Sequence, residues 1–272
     1  MADLVIEAGR TERQYWRDLW RYRELFLFFV WRDLLVRYKQ TVVGVSWSLI
    51  RPVLTMAVLT IVFGRISKMP AGGLPYPLLV LCGMLPWQLF STAMSESGNS
   101  LVSNSNMISK IYFPRMVITV SSVMTSLADF LISFIFLIGL MAWYRFVPPV
   151  NIVFLPLCIL MLVAASVGVG LWVAALMAQY RDFRFIVPFV VQFGLYISPV
   201  GFQSSVVPAH YRLLYAFNPM VGVIDSFRWS LLGRSSPLNA QALIIASLEI
   251  VILLASGIWY FRKTERTFAD VI

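Results

Sequence analysis

Three ionisable side chains lie inside long apolar segments of this sequence: Arg51, Asp129 and Glu249. A charge at the centre of a bilayer costs at least about 2.5 kcal/mol, so each of these groups needs water or a partner. Two interpretations are open, because the three groups either face a solvated passage or form buried ion pairs that fix helix packing. We expect Arg51 to meet solvent, since its guanidinium fork suits sugar hydroxyls and lipid phosphates.

A second set of side chains inside these segments combines aromatic rings with neighbouring amides. The rings are Trp87, Phe90, Phe193 and Tyr196, and the amides beside them are Gln88 and Gln192. Flat apolar faces with hydrogen-bonding groups between them suit a sugar polymer, which they contact without strong adhesion. We therefore treat the four rings as candidates for lining a passage. The alternative, favoured for any single ring, is that it faces lipid or fills the core.

The sequence carries no motif for catalysis, nucleotide binding or metal binding. It contains no GxxxxGK[ST] loop, no GxGxxG and no HExxH, and a single histidine, His210. Cys82 and Cys158 lie in apolar runs, where cysteine behaves as a small hydrophobic residue. We expect no catalytic residue, metal or cofactor in this chain. If the chain moves a substrate uphill, the energy must then come from a partner or from an ion gradient.

Composition places these residues in a membrane. Of the 272 residues, 59% are hydrophobic and 13% are charged, whereas a soluble domain carries about 25% charged residues. A soluble enzyme, a nucleic-acid-binding domain and a disordered chain are excluded on that ground. The net charge of +9 is interpreted first as a signal of membrane topology.

Six segments are apolar and long enough for a transmembrane helix, which needs about 20 residues. They are Val42–Phe63, Pro77–Met94, Met116–Tyr144, Ile152–Met177, Phe185–Gly201 and Ala240–Phe261. The second and fifth are the weakest, because they are short and interrupted by proline. Fifteen Lys and Arg residues flank the spans on the side of both termini and six on the other side. The positive-inside rule then places both termini in the cytoplasm.

Residues 15–38 are apolar but do not qualify as a span, because arginines and acids interrupt them. Trp16 and Trp20 alternate with arginines that include Arg32 and Arg37. Tryptophan and arginine at a helical period are typical of a helix that lies in the membrane interface. We predict such an amphipathic helix along the cytoplasmic surface, within an N-terminal region of residues 1–40. A soluble helical hairpin is the alternative.

Residues 206–232 form a second apolar region that does not qualify as a span. Pro208 and the pair Asn218 and Pro219 divide it into halves that are too short to cross a bilayer. We predict two short helices that enter the outer leaflet around an Asn-Pro turn, as a re-entrant helical hairpin between spans five and six. A partly buried loop outside the membrane is the alternative.

Several motifs of the chain occur together in one family. They are RYKQTVVGVSWSLIRP (37–52), ISKIYFPR (108–115), YRDF (180–183), SPVGF (198–202), NPM (218–220) followed by DSFRWSLLG, and FRKTER near the end. In this order they resemble the permease subunits of type-2 ABC exporters for polysaccharides such as O-antigen, capsule and teichoic-type polymers. Arg51 stands where an amide residue is common in that family, so the resemblance does not extend to substrate contacts there.

The resemblance implies an all-α integral membrane fold with six transmembrane helices, a type-2 ABC transmembrane domain over residues 41–264 and a cytoplasmic tail over residues 265–272. It implies a homodimer that encloses a channel and binds two copies of a separate ATPase subunit, which would hold ATP and Mg²⁺. The implied substrate is a lipid-linked glycan, with no nucleic acid, and the implied location is the bacterial inner membrane.

The resemblance also assigns roles to three regions. The Ser- and Asn-rich loop after the second span, residues 95–115, would hold the coupling helix that sits in a groove of the ATPase. Its candidate residues are Asn104, Asn106, Lys110, Tyr112 and Pro114. Residues 15–38 would be the gate helix, and residues 206–232 the re-entrant pair.

Two other functions are weighed against polysaccharide export. The first is export of a drug or a lipid by the same superfamily. The second is an integral-membrane enzyme, such as an acyltransferase or a lipid phosphatase. Such an enzyme needs a histidine-containing cluster at a membrane face, and one histidine cannot provide it.

Overall fold

The computed structural model of the chain describes residues 12–39, 44–108, 110, 113–236, 238–265 and 268. Over these residues the chain is helical and contains no strand, which confirms the all-α prediction. The α-helices in chain order are α1 (Glu12–Arg21), α2 (Arg23–Lys39), α3 (Gly44–Leu59), α4 (Tyr76–Ser103), α5 (Ser105–Ile108), α6 (Met116–Trp143), α7 (Leu155–Gln179), α8 (Phe183–Ile197), α9 (Arg212–Ala216), α10 (Pro219–Leu232) and α11 (Ala240–Thr264).

Five helical stretches among the described residues are long and apolar enough to cross a membrane. They are Leu49–Ile66, where α3 continues as a π-helix, Tyr76–Ser103, Met116–Trp143, Val150–Gln179 and Ala240–Thr264. The predicted fifth span corresponds to α8, an apolar helix of 15 residues. A helix of that length extends about 22 Å, less than the hydrocarbon core of about 30 Å. The structure therefore supports five transmembrane helices, and a sixth, formed by α8, stays a prediction.

The second span is longer than predicted. Helix α4 continues nine residues past Met94 to Ser103, so the expectation of a loop from Ser95 was wrong. The polar side chains of this stretch are satisfied within the helix, because they donate to carbonyls four residues earlier. Ser95 bonds to Ser91 at 2.9 Å and Asn99 to Ser95 at 3.0 Å. At 28 residues, α4 is about 42 Å long, which exceeds the hydrocarbon core.

Helix α4 lies at the centre of the bundle and α3 at its edge. Most of α4 is buried against α6, α7 and α10, whereas most of the first span is exposed. Helices α7 and α11 approach each other closely. A methyl group added to Gly257 of α11 would lie 2.6 Å from the Gly168 carbonyl oxygen. Small residues at such crossings allow helix backbones in membranes to touch.

The N-terminal region is helical, as predicted, and bends at Tyr22. Backbone hydrogen bonds from Tyr22 to Asp18 and from Phe26 to Tyr22 carry the helical ladder across the bend. A reversal of direction at that point is therefore excluded, and with it a hairpin of α1 and α2. Trp20 is 71% exposed while Phe29 is fully buried. The pair of helices thus presents one apolar face outward and packs the other on the bundle.

The region between α8 and α11 folds as two unequal parts. The first part contains two 3-10 turns and the five-residue α9, and the second is α10 with 14 residues. Asn218 and Pro219 begin α10, as the predicted turn requires. The Asn218 side chain accepts a hydrogen bond from the Met220 amide at 3.0 Å. Helix α10 is buried against α4, α7 and α11, and its depth in the membrane stays a prediction.

Candidate coupling and passage sites

The end of α2 joins two spans through charged groups, which we call the α2 cluster: Arg37, Tyr38, Glu96 and Asp129. The Arg37 guanidinium bonds to Glu96 of α4 at 2.7 Å and also to Asp129 of α6. The Tyr38 hydroxyl donates to the second oxygen of Asp129. Of the two interpretations for Asp129, the structure therefore supports the ion pair. Its partner is the N-terminal region and not another residue inside a span.

One turn earlier, α2 also contacts the segment that follows α4. The Arg32 guanidinium donates to the Asn104 side chain at 3.0 Å and to Asp33 at 2.8 Å. It lies 4.9 Å from the centre of the Phe29 ring, which in turn packs at 5.8 Å on the Phe113 ring. Two candidates that the sequence placed in separate regions, Arg32 and Asn104, are thus in direct contact.

A polar crevice separates α2 from α4 and α6 beside these contacts. Its volume is about 520 Å³, and most of its lining residues are charged or carry a hydroxyl or an amide. They include Arg32, Arg37, Glu96, Asn99, Ser100 and Thr125. The crevice therefore admits water to the charged groups that hold α2 in place, which screens their attraction.

The predicted coupling loop is divided between exposed and buried residues. Asn106 of α5 and Lys110 are exposed, and Pro114 is buried beside Phe113. Tyr112 lies outside the described residues. The exposed residues offer a surface to a partner, while the buried ones fix the loop to the bundle. The loop therefore combines exposed residues that a partner can contact with buried residues that hold it on the bundle.

The structure separates the four aromatic candidates into two pairs. Trp87 and Phe90 of α4 are less than a tenth exposed, with ring centres 5.9 Å apart. The Trp87 ring fills the space left by Gly194 of α8, where even a methyl group would collide with it. These two rings fill the core, so the prediction that they line a passage is wrong for the single chain.

The other two aromatic candidates are on the open side of α8. Phe193 is 55% and Tyr196 is 63% exposed, and Phe189 stacks on Phe193 with ring centres 5.8 Å apart. Arg51 of α3 is exposed as well, and its contact with a solvated passage stays a prediction. Glu249 of α11 has one buried carboxylate oxygen without a hydrogen-bond partner among the described residues.

At the other end of α4, the DSFRW run contacts the SPVGF motif. Arg228 of the DSFRW run is fully buried and donates to three backbone carbonyls, those of Leu79 at 3.2 Å, Val200 at 2.7 Å and Phe202 at 2.7 Å. Asn218 bonds to Ser198 at 3.0 Å. The SPVGF turn is thereby fixed to α10 and α4. Sequence reasoning placed both motifs but did not predict that they meet.

Comparison with known proteins connects these features to a family. Residues 24–232 match the family model described as ABC-2 type transporter. The chain is 27% identical to the O-antigen export system permease protein RfbA of Myxococcus xanthus, over 94% of this chain and 98% of the relative. It is 26% identical to RfbA of Klebsiella pneumoniae, over 92% and 95%.

A more distant relative carries a different substrate name. The polysialic acid transport protein KpsM of Escherichia coli is 21% identical over 86% of this chain and 91% of the relative. The family match covers well over half of the chain and includes α2, the α2 cluster and the Arg228 contacts. The chain therefore belongs to the ABC-2 type transporter family of multi-pass membrane proteins.

Proposed function

We propose that this chain is the permease subunit of an ATP-driven exporter that carries a lipid-linked polysaccharide outward across the bacterial inner membrane. The observation that carries the proposal is the near full-length similarity to permeases named for O-antigen export and for polysialic acid transport. Those names favour a polysaccharide over the alternatives of a drug or another lipid. The proposal includes cytoplasmic termini, since the excess of Lys and Arg lies on their side.

The energy is supplied by a separate ATPase in this proposal. The chain lacks the GxxxxGK[ST] loop that binds nucleotide phosphates, so ATP and Mg²⁺ bind to two copies of a partner subunit. Its docking point is the coupling loop, where Asn106 and Lys110 are exposed. A displacement of this loop by the ATPase is transmitted to α2 through the contact of the Phe113 and Phe29 rings and through the hydrogen bond between Arg32 and Asn104.

The passage forms between two copies of the chain in this proposal. Most of the first span and much of α8 are exposed in the single chain. Both present groups that suit a glycan: Arg51 on α3, and Phe193 and Tyr196 on α8. Aromatic faces bind sugars through their apolar side, and a guanidinium donates to hydroxyls or phosphate. A homodimer that pairs these surfaces would line the passage with them.

A deletion strain tests the substrate. Removal of the gene in its source bacterium should leave one surface polysaccharide absent outside and accumulated inside the cell. The wild-type chain should restore it, together with its own ATPase partner. An unchanged profile of every surface glycan would contradict the proposed function.

The coupling loop is tested in the same strain. Lys110→Ala combined with Asn106→Ala should lower export by about tenfold while the permease still assembles with the ATPase, because the coupling contact is lost. Arg181→Ala is the matched control, since it removes an exposed charge from the segment before α8. Full export by the double variant would show that Asn106 and Lys110 of this loop are not needed for coupling.

A further inference from the structure

The residues after α11 bind the beginning of the chain to the beginning of α6. One oxygen of the Glu265 carboxyl accepts a hydrogen bond from the Arg115 backbone amide at 2.7 Å. The other oxygen accepts one from the Tyr15 hydroxyl of α1 at 2.9 Å. The backbone carbonyl of Glu265 accepts a third from the Arg115 guanidinium at 2.5 Å. Glu265 thus holds two elements whose contacting residues lie 150 and 250 positions away in the sequence.

Aromatic packing closes the same contact from two sides. Phe268 is fully buried, with its ring centre 5.4 Å from that of Phe261, and the Arg115 guanidinium lies 5.9 Å from it. The Arg262 guanidinium lies 4.7 Å from the centre of the Tyr15 ring. The contact around Glu265 is therefore a packed interface and not a set of exposed ion pairs. We call this group, Tyr15, Arg115, Arg262, Glu265 and Phe268, the clasp.

The position of the clasp relates it to the coupling loop. Arg115 is the last residue of the ISKIYFPR motif and directly precedes α6, while Phe113 of the same motif packs on Phe29 of α2. The loop is therefore held at its end by Glu265 and on its flank by α2. Either contact transmits a displacement of the loop, and the clasp contacts α1 directly through Tyr15.

We propose that Glu265 is a positioning residue for coupling, which fixes the end of the coupling loop to α1 so that ATPase-driven movement of the loop reaches the N-terminal helices. This inference rests on the proposed function. It gives the FRKTER motif, which the proposed passage does not involve, a role at the cytoplasmic face.

The ionisation of Glu265 adds a measurable property. Burial raises the pKa of its carboxyl, while the Arg115 amide, the Tyr15 hydroxyl and the Arg115 and Arg262 charges act in the opposite direction. The docked carboxyl therefore keeps a proton above the ordinary Glu value of 4.5, at a pH where the undocked carboxyl has lost it. It follows that docking weakens as pH rises from 4.5 through the raised pKa.

Cysteine labelling measures the clasp directly. Both native cysteines are buried, so Thr264→Cys, at a buried position beside Glu265, provides a reporter for maleimide in the full exporter. Glu265→Ala should raise the labelling rate by about tenfold, because the last turn of α11 opens more often. Tyr15→Phe removes one donor only and should raise it by about threefold. Glu24→Ala, an exposed acid on α2, is the control.

Export per ATP hydrolysed then tests the role of the clasp. Glu265→Ala should lower this ratio by about fivefold. Glu265→Gln keeps an acceptor and cannot ionise, so it should preserve the ratio and remove the difference in labelling between about pH 5 and about pH 8. A purely structural contact would show the same labelling differences but would leave export per ATP unchanged in Glu265→Ala.

The outcomes separate this inference from the proposed function. Unchanged labelling in Glu265→Ala would overturn the clasp, and raised labelling with unchanged export per ATP would overturn its role in coupling. Either result leaves polysaccharide export standing. If the wild-type chain exports no glycan, the proposed function fails and the coupling role fails with it, while the labelling experiment still decides the contact.

Discussion

Two arginines near opposite ends of α4 are held in different ways. Arg37 bonds to the carboxylates of Glu96 and Asp129 beside a polar crevice, and the Glu96 side chain is 50% exposed. Arg228 is fully buried and donates to backbone carbonyls from α4 and from the turn after α8. The first arrangement consists of ion pairs in contact with water, and the second of hydrogen bonds inside a packed core.

The difference predicts which end of the molecule moves. An ion pair near water is worth little and exchanges partners at low cost, because solvent replaces the lost contact. A buried guanidinium has no such replacement, and moving it leaves acceptors unsatisfied. The contacts of α2 are therefore suited to a helix that shifts during transport. The contacts of α10 are suited to a fixed frame against which it shifts.

The largest effect is expected at the fixed end. Arg228→Met removes the donor for three carbonyls and also removes the positive charge that interacts with the buried Asp225 of α10. It should therefore lower the free energy of unfolding by roughly 3–5 kcal/mol. Thermal unfolding in detergent measures this change. A melting temperature equal to that of the wild type would show that the carbonyls find other donors and that the frame is not rigid.

Gly83→Ala disturbs the packing of the same site but leaves the Arg228 charge present. A methyl group at Gly83 would collide with the Arg228 guanidinium and lie 2.7 Å from the Val200 carbonyl oxygen, so a loss of roughly 1–3 kcal/mol is expected. Gly139→Ala on α6 is the matched control, since nothing lies within 4 Å of the added methyl. It should leave stability equal or raise it by up to about 1 kcal/mol. Equal effects of the two changes would contradict the packing argument.

A smaller change in stability is expected at the mobile end. Arg37→Gln should lower stability by roughly 1–3 kcal/mol, because Glu96 is half exposed and Asp129, although its side chain is only 15% exposed, keeps the Tyr38 hydroxyl as a donor. Added salt should shrink the difference from the wild type. Export, in contrast, should fall, since α2 loses its bonds to α4 and α6. The comparison between the two arginines fails if Arg37→Gln unfolds the protein as severely as Arg228→Met does.

The smallest change in stability is expected on the open face of α8. Phe193→Ala should leave the free energy of unfolding within about 0.5 kcal/mol of the wild type and still reduce export if the ring lines the passage. Trp87→Ala serves as the contrast, because the loss of this buried ring should cost roughly 3–5 kcal/mol. Normal export by Phe193→Ala would show that the Phe193 ring faces lipid and does not line the passage.

Features set by neighbouring residues could be predicted from the sequence. The interleaved Trp and Arg of α1 and α2, the apolar spans and the Asn218 and Pro219 turn all follow from local spacing and cap chemistry. The extension of α4 to Ser103 was missed, because serine and asparagine resemble loop residues unless their bonds to earlier carbonyls are considered.

The contacts between distant residues could not be predicted. Arg37 and Asp129 are 92 positions apart, and Tyr15 and Glu265 are 250 apart. Spacing along a helix says nothing about such pairs. A signal did exist for Asp129, since an acid inside a span requires a cation and the N-terminal region holds many. For Trp87 and Phe193, the sequence could not tell the two rings apart, because both lie among apolar neighbours and only the fold buries one of them.

The bonds of Arg228 also bear on how the chain is made. Its three acceptors belong to Leu79, Val200 and Phe202, and every one of them precedes Arg228 in the sequence. Synthesis proceeds from the N-terminus, so α4 and the turn after α8 already exist when this guanidinium leaves the ribosome. The carbonyl oxygens of Leu79, Val200 and Phe202 are then present to accept hydrogen bonds from the Arg228 guanidinium. All three acceptors of this buried charge are therefore synthesised before the donor that binds them.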